Sequence, residues 1–175
     1  MSTTKAPLIP FVLTAAILVL DQATKALVVA LIERGTIAYS ALDNFFWLIH
    51  ARNPGIAFSL GDGLPAGLRS VLFIALPLIL VAAVLFYYFR SDEPTLFQRW
   101  TLCGIIGGGL GNLMDRVFRP EGVVDFLSVK FYGLFGLERW PTFNIADAAV
   151  VCSAILLALT ILFETRAVGS VEKAK

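Results

Sequence analysis

Two aspartates, Asp125 and Asp147, are the residues of this 175-residue chain whose combined chemistry is easiest to define. If they lie together, their like charges oppose double ionisation, so the pair holds one proton between two carboxyl groups. The ionised member can accept a proton from water, while the protonated member polarises a carbonyl group and later protonates a leaving amine. Such a pair is suited to peptide hydrolysis without a metal ion or a serine nucleophile.

Asparagines and further charges lie close to both aspartates in the sequence. Asn144 precedes Asp147 by one helical turn, so its amide can orient that carboxylate or a substrate. Asn112, Asp115 and Arg116 occupy positions i, i+3 and i+4 near the end of a predicted helix and share one face. Asp115 and Arg116 either form a structural bracket or contact the substrate directly, and both interpretations stay open.

The elements that must position these residues are too apolar for a water-soluble domain. Hydrophobic residues make up 58% of the chain and charged residues 15%, and the mean hydropathy is +0.80. We therefore predict an all-α integral membrane protein whose residues 1–175 form a single domain. The net charge of +1, without a basic run, excludes nucleic acid as an expected partner.

Four apolar runs predict four transmembrane helices, over about residues 8–32, 66–89, 96–114 and 142–163. Asp21 and Lys25 interrupt the first run, four residues apart on one face and in the favourable order for an ion pair. They could simply neutralise each other, but ionisable pairs inside membranes usually face the bundle interior, and we favour a polar cavity there. The glycine spacing of the third run is typical of closely packed helices.

The two long connections predict a small extramembrane part. Residues 36–40 and 44–49 alternate partially between β-branched or aromatic and other residues, which predicts short strands of a β-rich cradle. Residues 126–137 are apolar and aromatic enough to lie along the membrane interface. The single histidine, His50, is expected to be interfacial rather than a ligand or a catalyst, and Cys103 and Cys152 are expected to be small buried hydrophobes. No metal or cofactor is predicted.

Four spans place both termini on one side of the membrane and both long connections on the other. The unusual polar residues all fall on the side of the connections, which predicts one functional face. They are Asp21, Lys25, Asn53, Asn112, Asp115, Arg116, Asp125, Asn144 and Asp147. The distribution of Lys and Arg leans towards cytoplasmic termini without deciding the orientation.

Five motifs in one order resemble the type II, or lipoprotein, signal peptidases. They are Asp-Gln-x-x-Lys at residues 21–25, Arg-Asn-x-Gly-x-Ala-Phe at 52–58, Gly-Asn-x-x-Asp-Arg at 111–116, Val-Val-Asp-Phe at 123–126 and Phe-Asn-x-Ala-Asp at 143–147. The resemblance extends from the first span to the fourth. Pro54 and Ile56 stand where the family more often has Thr and Ala, but they leave Asn53 in place.

The resemblance implies a bacterial aspartyl endopeptidase that cuts prolipoproteins just before a diacylglyceryl-modified cysteine. Asp125 and Asp147 would be its catalytic pair; Asn53, Asn112, Arg116 and Asn144 would line the cleft; and Asp21, Lys25 and Asp115 would support it. It also implies an inner-membrane protein with its site on the periplasmic or outer face and its termini in the cytoplasm. A monomer is expected, with prolipoproteins and membrane lipids as its partners.

Two other classes of function remain as alternatives. A small proton-coupled transporter could use the same carboxylate pair, but it would be expected to show internal repeats and interrupted helices, and the halves of this sequence show no convincing repeat. A non-enzymatic membrane scaffold would explain the glycine-rich third span, but it would not explain why acids and asparagines converge.

Overall fold

The residues that the structure describes form four long helices and three short strands. The structure is a computed structural model that describes residues 6–55, 65, 67–68 and 71–172, with side chains as far as Glu164. The helices are α1 (Phe11–Leu31), α2 (Leu76–Arg90), α3 (Leu96–Phe118) and α4 (Ile145–Glu172), and a π-helical turn, Val71–Ala75, leads into α2. The predicted start of the second span at residue 66 and the end of the motif over residues 52–58 lie outside the described residues.

Three of the predicted spans are supported by helix length and composition. Phe11–Leu31, Val71–Arg90 and Ile145–Glu164 are long and apolar enough to cross a membrane. The third predicted span, residues 96–114, forms the helix α3. Among the described helices, α3 is long enough to cross a membrane but is less apolar than the other three and is not a candidate span by composition. Its polar and glycine residues are explained by its position, because α3 packs against α1, α2 and α4 and most of its surface faces protein.

The glycines of α3 allow the close helix packing that their spacing predicts. A Cβ atom on Gly107 would lie 3.1 Å from the Cα of Thr14 on α1. On Gly111 it would lie 2.8 Å from a carboxylate oxygen of Asp21 and 3.1 Å from the Cβ of Ala146. Any larger residue would push α1 and α4 away from α3, so these glycines set the distances between the helices that carry the polar residues.

The strands form one antiparallel sheet in the order β1 (Ile37–Ala41), β2 (Phe46–Asn53) and β3 (Val123–Val129). The first two confirm the strands predicted over residues 36–40 and 44–49. The third was not predicted, and the segment expected along the interface, residues 126–137, is divided between β3 and a following loop. This loop contains a 3₁₀ turn, Leu134–Gly136, and exposes Tyr132 and Phe135.

Two expectations about single residues are wrong. His50 is not interfacial but 4% exposed, because it fills the space between β2 and the end of α1. Cys103 is buried as expected, whereas Cys152 is exposed on the outer face of α4. The apolar run around Cys152 identifies a helix, but an apolar run does not specify which helix face is covered by protein.

Candidate active site

The site lies where the end of α3, the start of α4 and strand β3 meet above α1. The chain from β3 to α4 folds back on itself, because the backbone N–H groups of Phe126 and Leu127 donate to the carbonyl of Phe143 at 3.0 and 2.8 Å. The N–H of Phe143 donates in turn to the carbonyl of Leu127 at 2.9 Å. These bonds fasten β3 beside the first turn of α4 and bring Asp125 of the strand close to Asp147 of the helix.

Asn144 joins the two aspartates. Its side-chain Nδ2 donates to Oδ1 of Asp125 at 2.7 Å, and its backbone N–H donates to Oδ2 of Asp147 at 3.1 Å. Its Oδ1 accepts from the N–H of Asp147 at 3.0 Å, so residues 144 and 147 also form a reciprocal cap at the start of α4. Asn144 is completely buried, which fixes both bonds in place.

Asn112 completes the hydrogen bonding of Asp147. Its Nδ2 donates to Oδ1 of Asp147 at 2.7 Å, while its Oδ1 accepts from Nζ of Lys25 at 3.0 Å and from Nδ2 of Asn144 at 3.0 Å. An amide oxygen that accepts two bonds determines which way the amide points, so Asn112 presents its N–H group to Asp147. The predicted residues on α1, α3 and α4 therefore meet in one hydrogen-bonded chain.

Lys25 lies under this chain in a buried ion cluster. Its Nζ is 2.8 Å from Oδ2 of Asp21 and 3.1 Å from Oδ2 of Asp115, and all three side chains are fully buried. The predicted i, i+4 pair therefore forms. Asp21 also accepts from the N–H of Ala146 at 3.0 Å, so the cluster ties α1 to the start of α4 as well as to α3.

Asp115 and Arg116 have different surroundings. Asp115 is 1% exposed; besides Lys25 it accepts from the N–H of Val124 at 3.0 Å and contacts Arg119, so it holds β3 against α3. Arg116 is partly exposed, and with the described residues it forms neither a hydrogen bond nor an ion pair. It lies in the electrostatic field of Asp147, Asp125 and Asp115, with its guanidinium donors available to a ligand.

Asp125 has the environment of a proton-exchanging group. It is 2% exposed, and its second oxygen, Oδ2, accepts from Nδ2 of Asn53 at 3.2 Å. Burial and then the nearby charge of Asp147 raise the pKa of Asp125 to about 7, although the bonds from Asn53 and Asn144 and the charge of Lys25 oppose the shift. A carboxyl group with this pKa can give and take a proton near neutral pH.

An apolar groove of about 400 Å³ opens at Asp147 and follows the first turns of α4. Phe131 and Trp140 form one wall, and Val151 and the exposed Cys152 form another. Asp147 is the one acidic group among the described residues that line it, while Asp125 is buried and does not line it. An extended apolar ligand in the groove would bring its backbone to the carboxylate pair.

Some contributors to the site were not singled out from the sequence. Gln22 donates to Asp21, to Asp115 and to the carbonyl of Gly111 at 3.0 to 3.1 Å, and its signal was its place inside the first motif. Arg119 follows Asp115 by four residues, a spacing that indicates an ion pair. Among the described residues, no group of three or more His, Cys, Asp or Glu side chains could hold a metal ion.

The fold and the site together define a helical membrane protein with two amide-bridged aspartates at one end of its bundle. Comparison with known proteins then gives the family. The family model described as signal peptidase II matches residues 13–163, and the chain belongs to that family.

Individual relatives agree over most of the chain. The lipoprotein signal peptidase of Treponema pallidum (strain Nichols) is 43% identical over 162 residues, which cover 93% of this chain and 87% of the relative. That of Treponema denticola is 45% identical over 164 residues, 94% of each chain. A solved bacterial membrane enzyme is similar in fold, with a TM-score of 0.76 and 26% identity over 92% of this chain and 93% of that one. The resemblance drawn from the five motifs is confirmed.

Proposed function

We propose that this chain cleaves the signal peptides of prolipoproteins with Asp125 and Asp147 as its catalytic pair. Membership of the signal peptidase II family supports lipoprotein signal peptide cleavage and does not support the alternative of a transporter. The observation that carries the catalytic assignment is the position of Asn144, which donates to both carboxyl groups and holds them in one site.

The pair would act on a water molecule and the scissile carbonyl. The ionised carboxylate takes a proton from water as the water oxygen attacks the carbonyl carbon, and the protonated carboxyl group stabilises the oxygen that becomes negative. When the tetrahedral intermediate collapses, the carbon–nitrogen bond breaks and the leaving amine takes up a proton from the pair. Asn112 and Asn144 keep the carboxyl groups oriented during both steps, and Arg116 can hold the substrate backbone through its free donors.

The groove at Asp147 supports a lipid-modified substrate. It begins at Asp147 and follows the first turns of Ile145–Glu164, a stretch that is apolar enough to cross a membrane. A cysteine that carries a diacylglyceryl group would keep its acyl chains at that depth, with its amide bond at the pair. The cut would then fall just before the modified cysteine.

We further propose four membrane spans, with the site on the periplasmic or outer face of the bacterial inner membrane and the termini in the cytoplasm. A helix of 23 residues such as α3 is about 35 Å long, enough for a hydrocarbon core of about 30 Å. Its polar residues lie near its two ends, and its glycines face α1, α4 and, at Gly109, α2, which suits a span surrounded by other helices. The site lies within one chain, which supports a monomer.

The test is a gel-shift assay with the purified protein and a diacylglyceryl-modified preprolipoprotein. The same precursor without the lipid serves as the control. We expect the lipid-modified precursor to be shortened by its signal peptide and the unmodified one to remain intact. Cleavage of neither would contradict the peptidase assignment, and equal cleavage of both would contradict the role given to the lipid.

A further inference from the structure

Strand β2 carries an irregularity just before the site. Leu48 pairs with Leu127, but the next aligned pair is Ala51 with Asp125. Two residues of β2, Ile49 and His50, therefore oppose one residue of β3, which is the definition of a β-bulge. The regular ladder resumes beyond it, with Asn53 opposite Val123.

The bulge decides which face of the sheet Asn53 occupies. Neighbouring residues of a strand point to opposite faces, and residues paired across two strands share a face. Asp125 pairs with Ala51, so it shares a face with Ala51 and also with Asn53, two residues further on. Without the extra residue Asp125 would pair with His50, and Asn53 would point to the opposite face, away from Asp125.

The side chain of His50 connects the bulge to the end of α1 and to Arg52. One ring nitrogen, Nδ1, lies 2.8 Å from the carbonyl oxygen of Ile32 at the end of α1, and the other, Nε2, accepts from Nε of Arg52 at 3.1 Å. The carbonyl can only accept, so Nδ1 carries the hydrogen and Nε2 is free to accept from Arg52. The backbone of His50 is fixed as well, because its carbonyl accepts from the N–H of Gly35 at 2.8 Å.

Arg52 extends the support to the other side of the site. Its side chain is 7% exposed, its Nε lies 3.4 Å from a carboxylate oxygen of Glu121, and its guanidinium donates to the carbonyl of Gly122 at 3.5 Å. Glu121 and Gly122 immediately precede β3, the strand that carries Asp125. Arg52 therefore connects the bulge on β2 to the start of β3, directly beside the bond from Asn53 to Asp125.

We propose that His50 is a positioning residue, which acts through Arg52 to keep the bulge of β2 in place and so holds Asn53 against Asp125. For its effect on the reaction, this inference rests on the proposed function. The hydrogen bonds of the His50 ring go to Ile32 and Arg52 and to neither carboxyl group of the pair, so its proposed influence passes through Asn53. A residue that only stabilises the fold would not act specifically on the bond between Asn53 and Asp125.

A pair of conservative variants separates the two ring nitrogens. His50→Asn keeps a donor for Ile32 and loses the acceptor for Arg52, whereas His50→Gln places an oxygen where Nε2 was. We expect His50→Asn to lower kcat on the lipid-modified precursor by roughly 10- to 100-fold, which corresponds to the loss of one hydrogen bond to a charged group. We expect His50→Gln to keep most of the wild-type kcat. Arg34→Gln is the matched control, because Arg34 pairs with the same Glu121 at 3.4 Å but is 59% exposed, and we expect no change in kcat.

A double-mutant cycle with Asn53→Ala tests the route. If His50 acts through Asn53, His50→Asn should lower kcat by less than about twofold once Asn53 is already alanine, because the two changes remove the same interaction. Additive losses would overturn the proposal. Should His50→Asn fail to fold, Arg52→Lys removes the same Nε bond and enters the cycle in its place.

A second readout needs no activity at all. The carboxyl absorption of Asp125 can be followed against pH by infrared difference spectroscopy, with Asp125→Asn as the reference. The bond from Asn53 lowers the pKa of Asp125, so both Asn53→Ala and His50→Asn should move the midpoint upward and Arg34→Gln should not. An unmoved midpoint in His50→Asn overturns the inference, whereas a moved midpoint in a protein that cleaves no precursor overturns only the proposed function.

Discussion

The helices α3 and α4 begin with the same local device at opposite ends of the molecule. At the start of α3, Thr95 Oγ1 accepts from the N–H of Gln98 at 3.3 Å, and Gln98 Oε1 accepts from the N–H of Thr95 at 2.9 Å. At the start of α4, Asn144 and Asp147 exchange bonds of 3.0 and 3.1 Å in the same pattern. The first cap joins neutral side chains, whereas the second contains an acid that also belongs to the carboxylate pair.

The two ends of the bundle also differ in the partners of their buried cations. Near the start of α3, Arg99 is 6% exposed, and its guanidinium donates to the carbonyls of Tyr88 and Ser91 at 2.7 and 2.9 Å. Among the described residues no carboxylate lies within ion-pair distance of it. Lys25, at the other end, is held by two carboxylates and an amide. Both ends of the bundle therefore bury a cation, so burial of a charge alone does not identify a reactive site.

The largest effect that separates the two ends should come from the acids of the site. We expect Asp125→Asn and Asp147→Asn each to lower kcat by about 10³-fold or more, because the proposed mechanism needs both carboxyl groups to exchange protons, whereas Asn keeps the shape of the site. The measurement is single-turnover cleavage of the lipid-modified precursor, with thermal unfolding to confirm that each variant is folded. Near-normal cleavage by either variant would remove that aspartate from the catalytic pair.

Replacing the buried cations should affect the two ends differently. Lys25→Met leaves Asp21 without its counter-ion and Asp115 with Arg119 alone. We expect it to lower the free energy of unfolding by about 3–5 kcal/mol, and to lower kcat as well, since Lys25 no longer donates to Asn112. Arg99→Met leaves two carbonyls without donors, which should cost on the order of 2 kcal/mol but leave kcat of the folded protein unchanged. The measurements are unfolding in detergent micelles and kcat per folded molecule.

A compensating change distinguishes charge from packing in the Lys25 cluster. Asp115 keeps its ion pair with Arg119 in Lys25→Met, so Asp21 is the carboxylate left without a counter-ion. Adding Asp21→Asn removes that charge, so the double variant should be more stable than Lys25→Met alone. If instead the double variant loses the sum of the stabilities lost in Lys25→Met and Asp21→Asn separately, the cluster is held together by packing and not by its charges.

The stability of the protein should depend on pH through Asp125. Its pKa is raised from an ordinary value of 3.8 to about 7, so between these values the folded state holds a proton that the unfolded state releases. The stabilising contribution is therefore complete below pH 3.8 and is lost as the pH rises through 7. From about pH 5 to about pH 8 we expect the stability of the wild type to fall by roughly 2–3 kcal/mol relative to Asp125→Asn. A constant difference between the two proteins would show that the pKa of Asp125 is not raised.

The features that the sequence predicted correctly are those with a local signal. Asp21 and Lys25 pair because four residues are one helical turn, and the apolar runs mark helices because they are longer than strands. Asp125 and Asp147 were singled out by the chemistry of acids beside apolar runs and by the five motifs. The family model matches residues 13–163, a range that contains all five motifs.

The features that the sequence did not reveal depend on tertiary contacts. Strand β3 has buried residues on both faces, so it lacks the alternation that identifies a strand covered on one side only. The bulge of β2 and the burial of His50 become evident only when β3 and the end of α1 are placed beside them. The exposure of Cys152 depends in the same way on which face of α4 packs against α3.

The smallest effect should come from the cap at the start of α3. Thr95→Ala removes the oxygen that accepts from the N–H of Gln98, and a lost cap of this kind costs about 1 kcal/mol. Thr95→Ser keeps the acceptor and is the matched control, expected to behave like the wild type. Neither residue of this cap titrates near neutral pH, so the loss in Thr95→Ala should be the same at about pH 5 and about pH 8, with kcat unchanged. Thr95 lies at the opposite end of α3 from Asn112. A change in kcat would therefore show that the site depends on the cap at the far end of the bundle.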